Sequence, residues 1–352
     1  MKLFLDVMYD DTKNARKIKS RDYNNEGKYP IIDQSSKNVI SYTDEIDGLY
    51  KDVPVIIFGD HTRRFKLVEE PFFIGADGTK VLKLCSSVYD YKFIYYYLLH
   101  KKIPDTGYNR HFKWVKEIEF PEIPRSIQSD IVKKFEVLND LISSKNKLLE
   151  LLDILIKSRF VEVFGIFNVN TNNHNTIKFK DLIEQNNINE EDKVWLLNLD
   201  MIKSNTGEII EKVYINKQNI PTSSIAFKKG TVLYSKLRPY LNKVVIADEN
   251  GYGTSELIPL NSYKNGLTAE YLAYYLRQDS FVEYIKDKVT GAKMPRVAMD
   301  ILRNIDIIQP NYISQEQFSS FVNHINKLKA DVQKSIDKAQ LLMDSLMQEY
   351  FG

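Results

Sequence analysis

RSIQSDIVKKFEVLNDLISSKNKLLELLDILIKSRFVEVFG, residues 125 to 165, decides the fold because the chain writes this pattern twice. Setting Phe164-Gly165 against Phe351-Gly352 gives an offset of 187 residues (352 less 165). At that offset Ile131 meets Phe318, Leu138 meets Ile325, Leu141 meets Leu328, Leu149 meets Ile336, Leu155 meets Leu342 and Ile156 meets Met343. Each copy carries a heptad seam. In the first, Ile131, Leu138 and Leu152 alternate with Phe135, Ile142, Leu149 and Ile156. In the second, Phe318, Ile325, Val332, Ala339 and Leu346 alternate with Val322, Ile336, Met343 and Tyr350. This is coiled-coil spacing. Neither copy has an internal Gly or Pro, and at ~1.5 Å per residue about 38 residues make a rod of roughly 55 to 60 Å, the length of a spacer.

The ends of both helices are legible. Pro121, Pro124 and Pro310 stop the preceding strands, Ser126 or Ser129 is placed to cap the first helix, and Ser314 with Gln317 forms a capping-box pattern for the second. Lys145, Arg159 and Lys329 interrupt the seams. Polar residues there set register and partner number, so two flawed helices of equal length are expected to pair with each other. The alternative is two unrelated amphipathic helices on separate cores, but helices this long rarely stand alone.

Composition bounds the rest. The 352 residues suggest two or three domains, and 43% hydrophobic with 27% charged residues is ordinary for a soluble globular protein. No run of about 18 apolar residues and no charged-then-apolar leader is present, so neither a membrane span nor a secretory signal is expected. Cys85 is the one cysteine, which excludes an intramolecular disulfide and favours a reducing, cytoplasmic compartment. The net charge of +2 does not announce nucleic acid, so any basic surface must be local.

Residues 1 to about 120 read as a mixed domain. Tyr29 to Ile32 and Val53 to Phe58 look like short buried strands, Gly59, Gly75 and Gly78 punctuate a strand and turn series, and Lys92 to His100 forms a nearly all-apolar helix. After the first long helix, Asn168 to Asn175 is the clearest linker. The second globular unit, from about Ile177 to Pro310, repeats the plan: Gly230 to Tyr234 stands for the Val53 to Phe58 strand, Ala269 to Asp279 for the tyrosine-rich helix, and Thr290-Gly291 for Thr106-Gly107. The order domain, helix, domain, helix is a tandem duplication with a pseudo-twofold relation; two long units are too few for a solenoid.

Basic residues gather at equivalent places. Lys228 to Lys243 holds Lys228, Lys229, Lys236, Arg238 and Lys243 with Tyr234 and Tyr240 interleaved and no acidic residue; the matching turn in the first unit runs from Gly59 to Lys66. Lys101, Lys102, Arg110, His111, Lys113 and Lys116 surround Thr106 to Asn109, and Lys286, Lys288, Lys293 and Arg296 surround Thr290-Gly291. Lys and Arg neutralise phosphates, Arg and Asn pair bidentately with guanine and adenine edges, and glycine loops allow close backbone approach. One such cluster is commonly a solvated surface, whereas recurrence at matching positions favours DNA.

The run Leu233-Tyr234-Ser235-Lys236-Leu237-Arg238-Pro239-Tyr240-Leu241-Asn242-Lys243, followed by Thr290-Gly291-Ala292-Lys293-Met294-Pro295-Arg296, resembles the second target recognition domain of a specificity subunit of type I restriction-modification systems. Ile56 to Arg63, with Gly75-Ala76-Asp77-Gly78, resembles another variant of that domain. Pro121-Glu122-Ile123-Pro124 and Ile313-Ser314-Gln315-Glu316-Gln317 resemble the family's lead into its two conserved helices, and the likeness covers nearly the whole chain.

The resemblance implies an α+β fold: two mixed α/β recognition domains separated by two long antiparallel coiled-coil helices in a pseudo-twofold tandem repeat. The expected divisions are a first recognition domain at 1–120, a first helix at 121–165, a second recognition domain at 166–310 and a second helix at 311–352. It further implies that each domain reads one half of a split site in double-stranded DNA and that the helices fix the gap. The helices would dock two methyltransferase subunits, which bring S-adenosylmethionine and methylate adenine, and endonuclease-translocase subunits would join to cut unmodified DNA. The chain itself would be no enzyme and hold no cofactor. The second unit opens with Lys178 to Leu182, a usual family start, but nothing before Met1 matches it, so the first unit's first strand is expected to be absent or replaced by Lys2 to Met8.

Catalytic alternatives are weak. An adenine methyltransferase needs Asn or Asp before Pro-Pro and an aromatic residue, a run that does not occur. There is no Walker A loop and no His-Glu-x-x-His helix. Pro104-Asp105 begins like a nuclease motif, but Thr106-Gly107 adds no carboxylate or lysine. His61, His100, His111, His174 and His324 are dispersed and make no metal spacing, although His61 and His111, in basic loops, are candidates to touch phosphate or base. The Tyr-rich helices read as core rather than stacking platforms. A coiled-coil scaffold whose end domains bind proteins is the reading from a different class, and a methylating enzyme leaves no room for its cofactor domain. The candidate DNA contacts are Ser235, Lys236, Arg238, Tyr240, Lys243, Lys293 and Arg296 in the second unit, and His61, Thr62, Arg63, Arg64, Tyr108, Asn109, Arg110 and Lys113 in the first.

Overall fold

The computed structural model describes every residue except Tyr108, Thr171, Asn172, Asn189, Glu190 and Glu191, and all side chains of those but that of Lys264. The expected linker falls partly on undescribed residues. The chain divides into two units, residues 1–144 with 335–352, and residues 145–334. No helix among the described residues is long and apolar enough to cross a membrane.

In the first unit a four-stranded antiparallel sheet runs in the order Met8–Asp10, Thr79–Leu84, Val55–Gly59, Phe65–Val68. Its central strand Val55–Gly59 is buried at every position, as a continuous apolar run covered on both faces should be. A smaller sheet joins Ser41–Thr43, Tyr29–Ile32 and Phe73–Ile74. The tyrosine-rich helix occupies Tyr91–His100, capped by the Asp90 carboxylate, which accepts from the Lys92 and Phe93 amides. Phe58, Phe93, Tyr97, Phe112 and Phe120 form the core, closed by Phe135 of the first long helix and Phe351 of the second.

The second unit repeats this plan. Val232–Ser235 lies between Val244–Ile246 and Leu257–Leu260, as Val55–Gly59 lies between Phe65–Val68 and Thr79–Leu84. A separate sheet holds Val213–Asn216, Lys193–Leu197, Gly251–Gly253 and Ile225–Phe227. The matching tyrosine-rich helix is Ala269–Arg277; it stops before the expected Asp279 because Gln278 is extended and a new helix, Asp279–Lys286, begins. In both helices the tyrosines serve the core: Tyr97 donates to the Glu119 carbonyl at 2.6 Å and Tyr271 to that of Ile308 at 2.7 Å.

The long helices span Arg125–Phe164 and Tyr312–Phe351. Within each unit their segments run in opposite directions. In the first, Phe135 packs on Tyr350 and Phe351, and Lys134 bonds the Tyr350 hydroxyl at 2.7 Å. In the second, Phe160 and Phe164 pack on Phe318, while Asp153, earlier on its helix, pairs with Lys329, later on the other, at 2.6 Å. Ile131, Phe135, Leu138, Ile156, Phe318, Val322, Ile325, Ile336 and Met343 are buried, and Ile142, Leu149, Leu152 and Val332 half-buried. Arg159, expected in the seam, is exposed and pairs with Glu162 on its own helix; Phe160 takes the inward position.

The caps differ from expectation. Ser126 and Ser129 lie inside the first helix, and Asn311, not Ser314, caps the second, its side chain accepting the Ser314 amide at 3.0 Å. A glutamine does the joining in each copy. Gln128 accepts the Asp90 amide at 2.9 Å and donates to the carbonyls of Val88 at 3.0 Å and Ile123 at 2.7 Å. Gln315, its equivalent at offset 187, accepts the Thr268 amide at 2.9 Å and donates to the carbonyls of Gly266 at 3.2 Å and Pro310 at 2.9 Å. Both are fully buried, so each fastens a long helix to the start of its tyrosine-rich helix.

At the N-terminus, Lys2 to Met8 stands where the second unit has its opening strand and turn. Leu3-Phe4-Leu5-Asp6-Val7 is the counterpart of Lys178 to Leu182: Phe4–Val7 and Phe179–Leu182 are both single helical turns that bury their first and last side chains. In the second unit Asn175–Lys178 pairs with Asp306–Gln309, and in the first Lys2 forms a bridge with Phe120.

Candidate nucleic-acid interface

In each unit two basic loops distant in sequence meet beside the central strand. In the first, the turn after Val55–Gly59 folds back on itself, with Arg63 N–H donating to the Gly59 carbonyl at 2.7 Å and Gly59 N–H to that of Arg64 at 2.9 Å. The loop from Thr106 to Lys113 docks on this turn. Asp60 receives the Phe112 amide on its carboxylate at 2.7 Å and the His111 amide on its carbonyl at 2.9 Å. The His61 ring contacts the Asn109 carbonyl at 3.2 Å, and Arg63 pairs with Asp105 at 2.7 Å. The Gly107 amide first, and then the Arg63 guanidinium, hold the Asp105 carboxyl below its ordinary value. The Gly75 to Gly78 turn closes the cluster, Gly78 offering its carbonyl to the Asp60 amide at 2.7 Å.

The second unit builds the same junction from other residues. The short hairpin Val289–Thr290 with Arg296–Val297 lies against the loop after Val232–Ser235. Arg238 N–H donates to the Pro295 carbonyl at 2.8 Å, Val297 N–H to that of Lys236 at 3.1 Å, and the Arg238 side chain to that of Lys293 at 3.4 Å. Arg296 is fixed by Glu256 at 2.8 Å, whose hydrogen bond holds the guanidinium above its ordinary value.

The candidates therefore separate by exposure. Thr62, Arg64, Asn109, Arg110, Lys113, Arg238, Tyr240 and Lys293 are exposed. His61, Arg63, Lys236, Lys243 and Arg296 are half-buried. Among the described residues, no carboxylate pairs with Arg64, Arg110, Lys113 or Lys293 at ion-pair distance. Ser235 is buried, its hydroxyl donating to the Leu237 carbonyl at 3.0 Å, so it shapes the loop and presents nothing to a ligand. Lys243 is half-buried and spends its ammonium on the Leu199 carbonyl at 2.5 Å. His111 is wholly buried, its ring between the Asp60 carbonyl and Thr106, which removes it as a phosphate contact. Lys66, at the end of the first turn, is buried on the carbonyls of Asp33 and Lys37. Tyr108 lies outside the described residues. A groove of about 500 Å³ opens beside Thr62, Arg63 and Arg64, with Ser35 and Asn38 on one wall and Tyr95 and Leu99 on another.

Sequence reasoning missed the residues that hold the loops: Gln34, which accepts the His61 amide and the Thr62 hydroxyl, and Asp60, Asp105 and Glu256. A lone acidic residue inside a basic loop is the signal that could have found Asp60 and Asp105; Glu256 lies in a stretch with no basic residue and carries no such signal.

No family model matches the chain. Among curated proteins it is similar to the Type I restriction enzyme EcoDI specificity subunit of Escherichia coli, at 23% identity over 147 residues, 42% of this chain and 32% of that protein. It is also similar to the Type I restriction enzyme MjaIX specificity subunit of Methanocaldococcus jannaschii, at 24% identity over 152 residues, 40% of this chain and 34% of that protein. The chain thus spans about a third of the length of these relatives. Among solved structures it resembles the S subunit of a type I restriction-modification system from M. genitalium, with a TM-score of 0.59 at 14% identity over 100% of this chain and 95% of that one. A chain from a study of complex assembly and conformational transition in the type I system gives 0.56 at 15% identity, over 98% and 94%. The family resemblance read in the sequence stands, and the fold is that of a type I S subunit.

Proposed function

We propose that this chain, built on the fold of a type I S subunit, is the DNA-recognition subunit of a type I restriction-modification complex. The observation that carries this reading is the paired junction: in both units a basic loop after the central strand meets a second basic loop from more than 40 residues away. Exposed cations on a braced loop supply phosphate contacts and a fixed platform for reading base edges. On this reading residues 1–120 and 166–310 are the two readers, each taking one half of a split site. Residues 121–165 and 311–352 set the gap between the halves.

The candidate contacts are Thr62, Arg63, Arg64, Asn109, Arg110 and Lys113 in the first reader and Lys236, Arg238, Tyr240, Lys293 and Arg296 in the second, with His61 beside the first loop and Tyr108, outside the described residues, as a further candidate. Docking of two methyltransferase subunits on the helices is supported by the apolar residues they leave exposed, among them Val137, Leu151, Ile154 and Leu341. Methylation of adenine and DNA cleavage then belong to the methyltransferase and endonuclease-translocase subunits, and this chain supplies address rather than chemistry.

The test is a methylation map from cells co-expressing the chain with its cognate methyltransferase. Methylated adenines in a two-part motif with a fixed gap are the expected result. An assembled complex that leaves no mark, together with a shallow salt dependence of duplex binding, would turn the reading to a protein-binding scaffold.

A further inference from the structure

Six described residues other than glycine adopt positive φ: Arg63, Asn168, Asn173, Asn205, Arg238 and Asn242. Asparagine tolerates this left-handed region because its short amide bonds locally, whereas arginine has no such compensation. The two arginines, at φ 59° and 47°, occupy the loops that follow the equivalent central strands Val55–Gly59 and Val232–Ser235. Each unfavourable conformation is held by main-chain bonds on both sides. Arg63 N–H bonds Gly59 O at 2.7 Å and its neighbour Arg64 O receives Gly59 N–H at 2.9 Å; Arg238 N–H bonds Pro295 O at 2.8 Å and Arg238 O receives Leu241 N–H at 2.9 Å.

The side chains are braced too, each from the second loop of its own unit. Asp105 Oδ2 takes one Arg63 nitrogen, Nη2, at 2.7 Å, and the other Asp105 oxygen is pinned by the Gly107 amide at 3.0 Å. Arg238 Nη2 reaches the Lys293 carbonyl at 3.4 Å. In both cases this leaves Nε and Nη1 with donors to spare. Reading a base demands such a fixed fork, because guanine offers two adjacent acceptors, O6 and N7, that must be met together. A phosphate contact tolerates a mobile cation and gains nothing from backbone strain.

We propose that Arg63 and Arg238 are the base-reading residues of the two units, each a bidentate donor to a guanine edge, while Arg64, Arg110, Lys113 and Lys293 contact phosphate. Asp105 is a positioning residue acting through Arg63. This division of labour rests on the DNA-reading function proposed above.

The experiment is the methylation map of the full chain with its methyltransferase, comparing wild type with Arg63→Lys, Arg238→Lys, Asp105→Asn and Lys113→Ala. Arg63→Lys relaxes one guanine position in one half-site, with tolerance of the other bases rising about tenfold, and leaves the other half and the gap unchanged. Arg238→Lys does the same in the opposite half. Asp105→Asn relaxes the position that Arg63→Lys relaxes and Asp105→Glu partly restores it, which a residue that only stabilised the loop would not do. Lys113→Ala lowers methylation evenly at all sites. Arg63→Asn and Arg238→Asn, which keep a residue tolerant of the left-handed backbone, guard against misfolding and relax the same positions. An unchanged motif with uniformly weaker methylation in the arginine variants overturns the assignment. A wild-type complex that marks no bipartite motif overturns instead the function on which it rests.

Discussion

Gln128 and Gln315 each answer three backbone groups without contacting solvent. Gln315→Leu keeps most of the volume and leaves the Thr268 amide and two carbonyls unpaired, so it should cost on the order of 2–3 kcal/mol, read as a lower urea midpoint at unchanged slope. A loss below about 0.5 kcal/mol would mean that water takes over these bonds. Neither role was legible beforehand, because a glutamine in a helical first turn looks like any polar surface residue. Ser235 and His111 mislead in the same way. Each sits in a basic stretch, but Ser235 ends a strand buried on both faces, and the Asp60 carbonyl draws the His111 ring into the core. Charge pattern shows which segment is basic; the facing of each side chain depends on partners that sequence spacing does not reveal.

Among elements, the long helices were the most legible, since a heptad maintained over 40 residues has few other readings. Their polar positions were less so. Lys329 does stand in the seam, partnered by Asp153 across it, whereas Arg159 points outward. With both side chains of the Asp153–Lys329 pair part-buried, Asp153→Lys and Lys329→Asp should each destabilise. The double exchange should recover about 1 kcal/mol relative to the sum, measured by a double-mutant cycle of urea unfolding. Additive single effects would show that the pair does not set the register of the two helices. The short opening turn Phe4–Val7 escaped notice because its likeness to Phe179–Leu182 rests on one Phe, one Asp and an aliphatic residue.

For the whole molecule, the tandem repeat carries the architecture: the 187-residue offset aligns the two long helices, and the same order of central strand, basic loop and tyrosine-rich helix recurs in each unit at shorter offsets. On the proposed function the gap between half-sites follows helix length. Adding seven helix-forming residues between Ser144 and Lys145, and seven between Lys334 and Ser335, keeps each seam in phase and lengthens each helix by about 10 Å. At about 3.4 Å per base pair, the methylated motif should keep both halves and widen its gap by about three base pairs. An unchanged gap in an assembled complex removes the helices as its determinant.

On the proposed function, the meeting of two loops in each unit bears on how new specificities arise. The turn ending at Lys66 is married to a segment that begins at Asp105, through Arg63 with Asp105 and His61 with Asn109. A genetic crossover between those points would give one loop a stranger for a partner and break the brace along with the contact. Inheritance should therefore trade whole readers rather than single loops, and drift within one loop should be answered by change in the other.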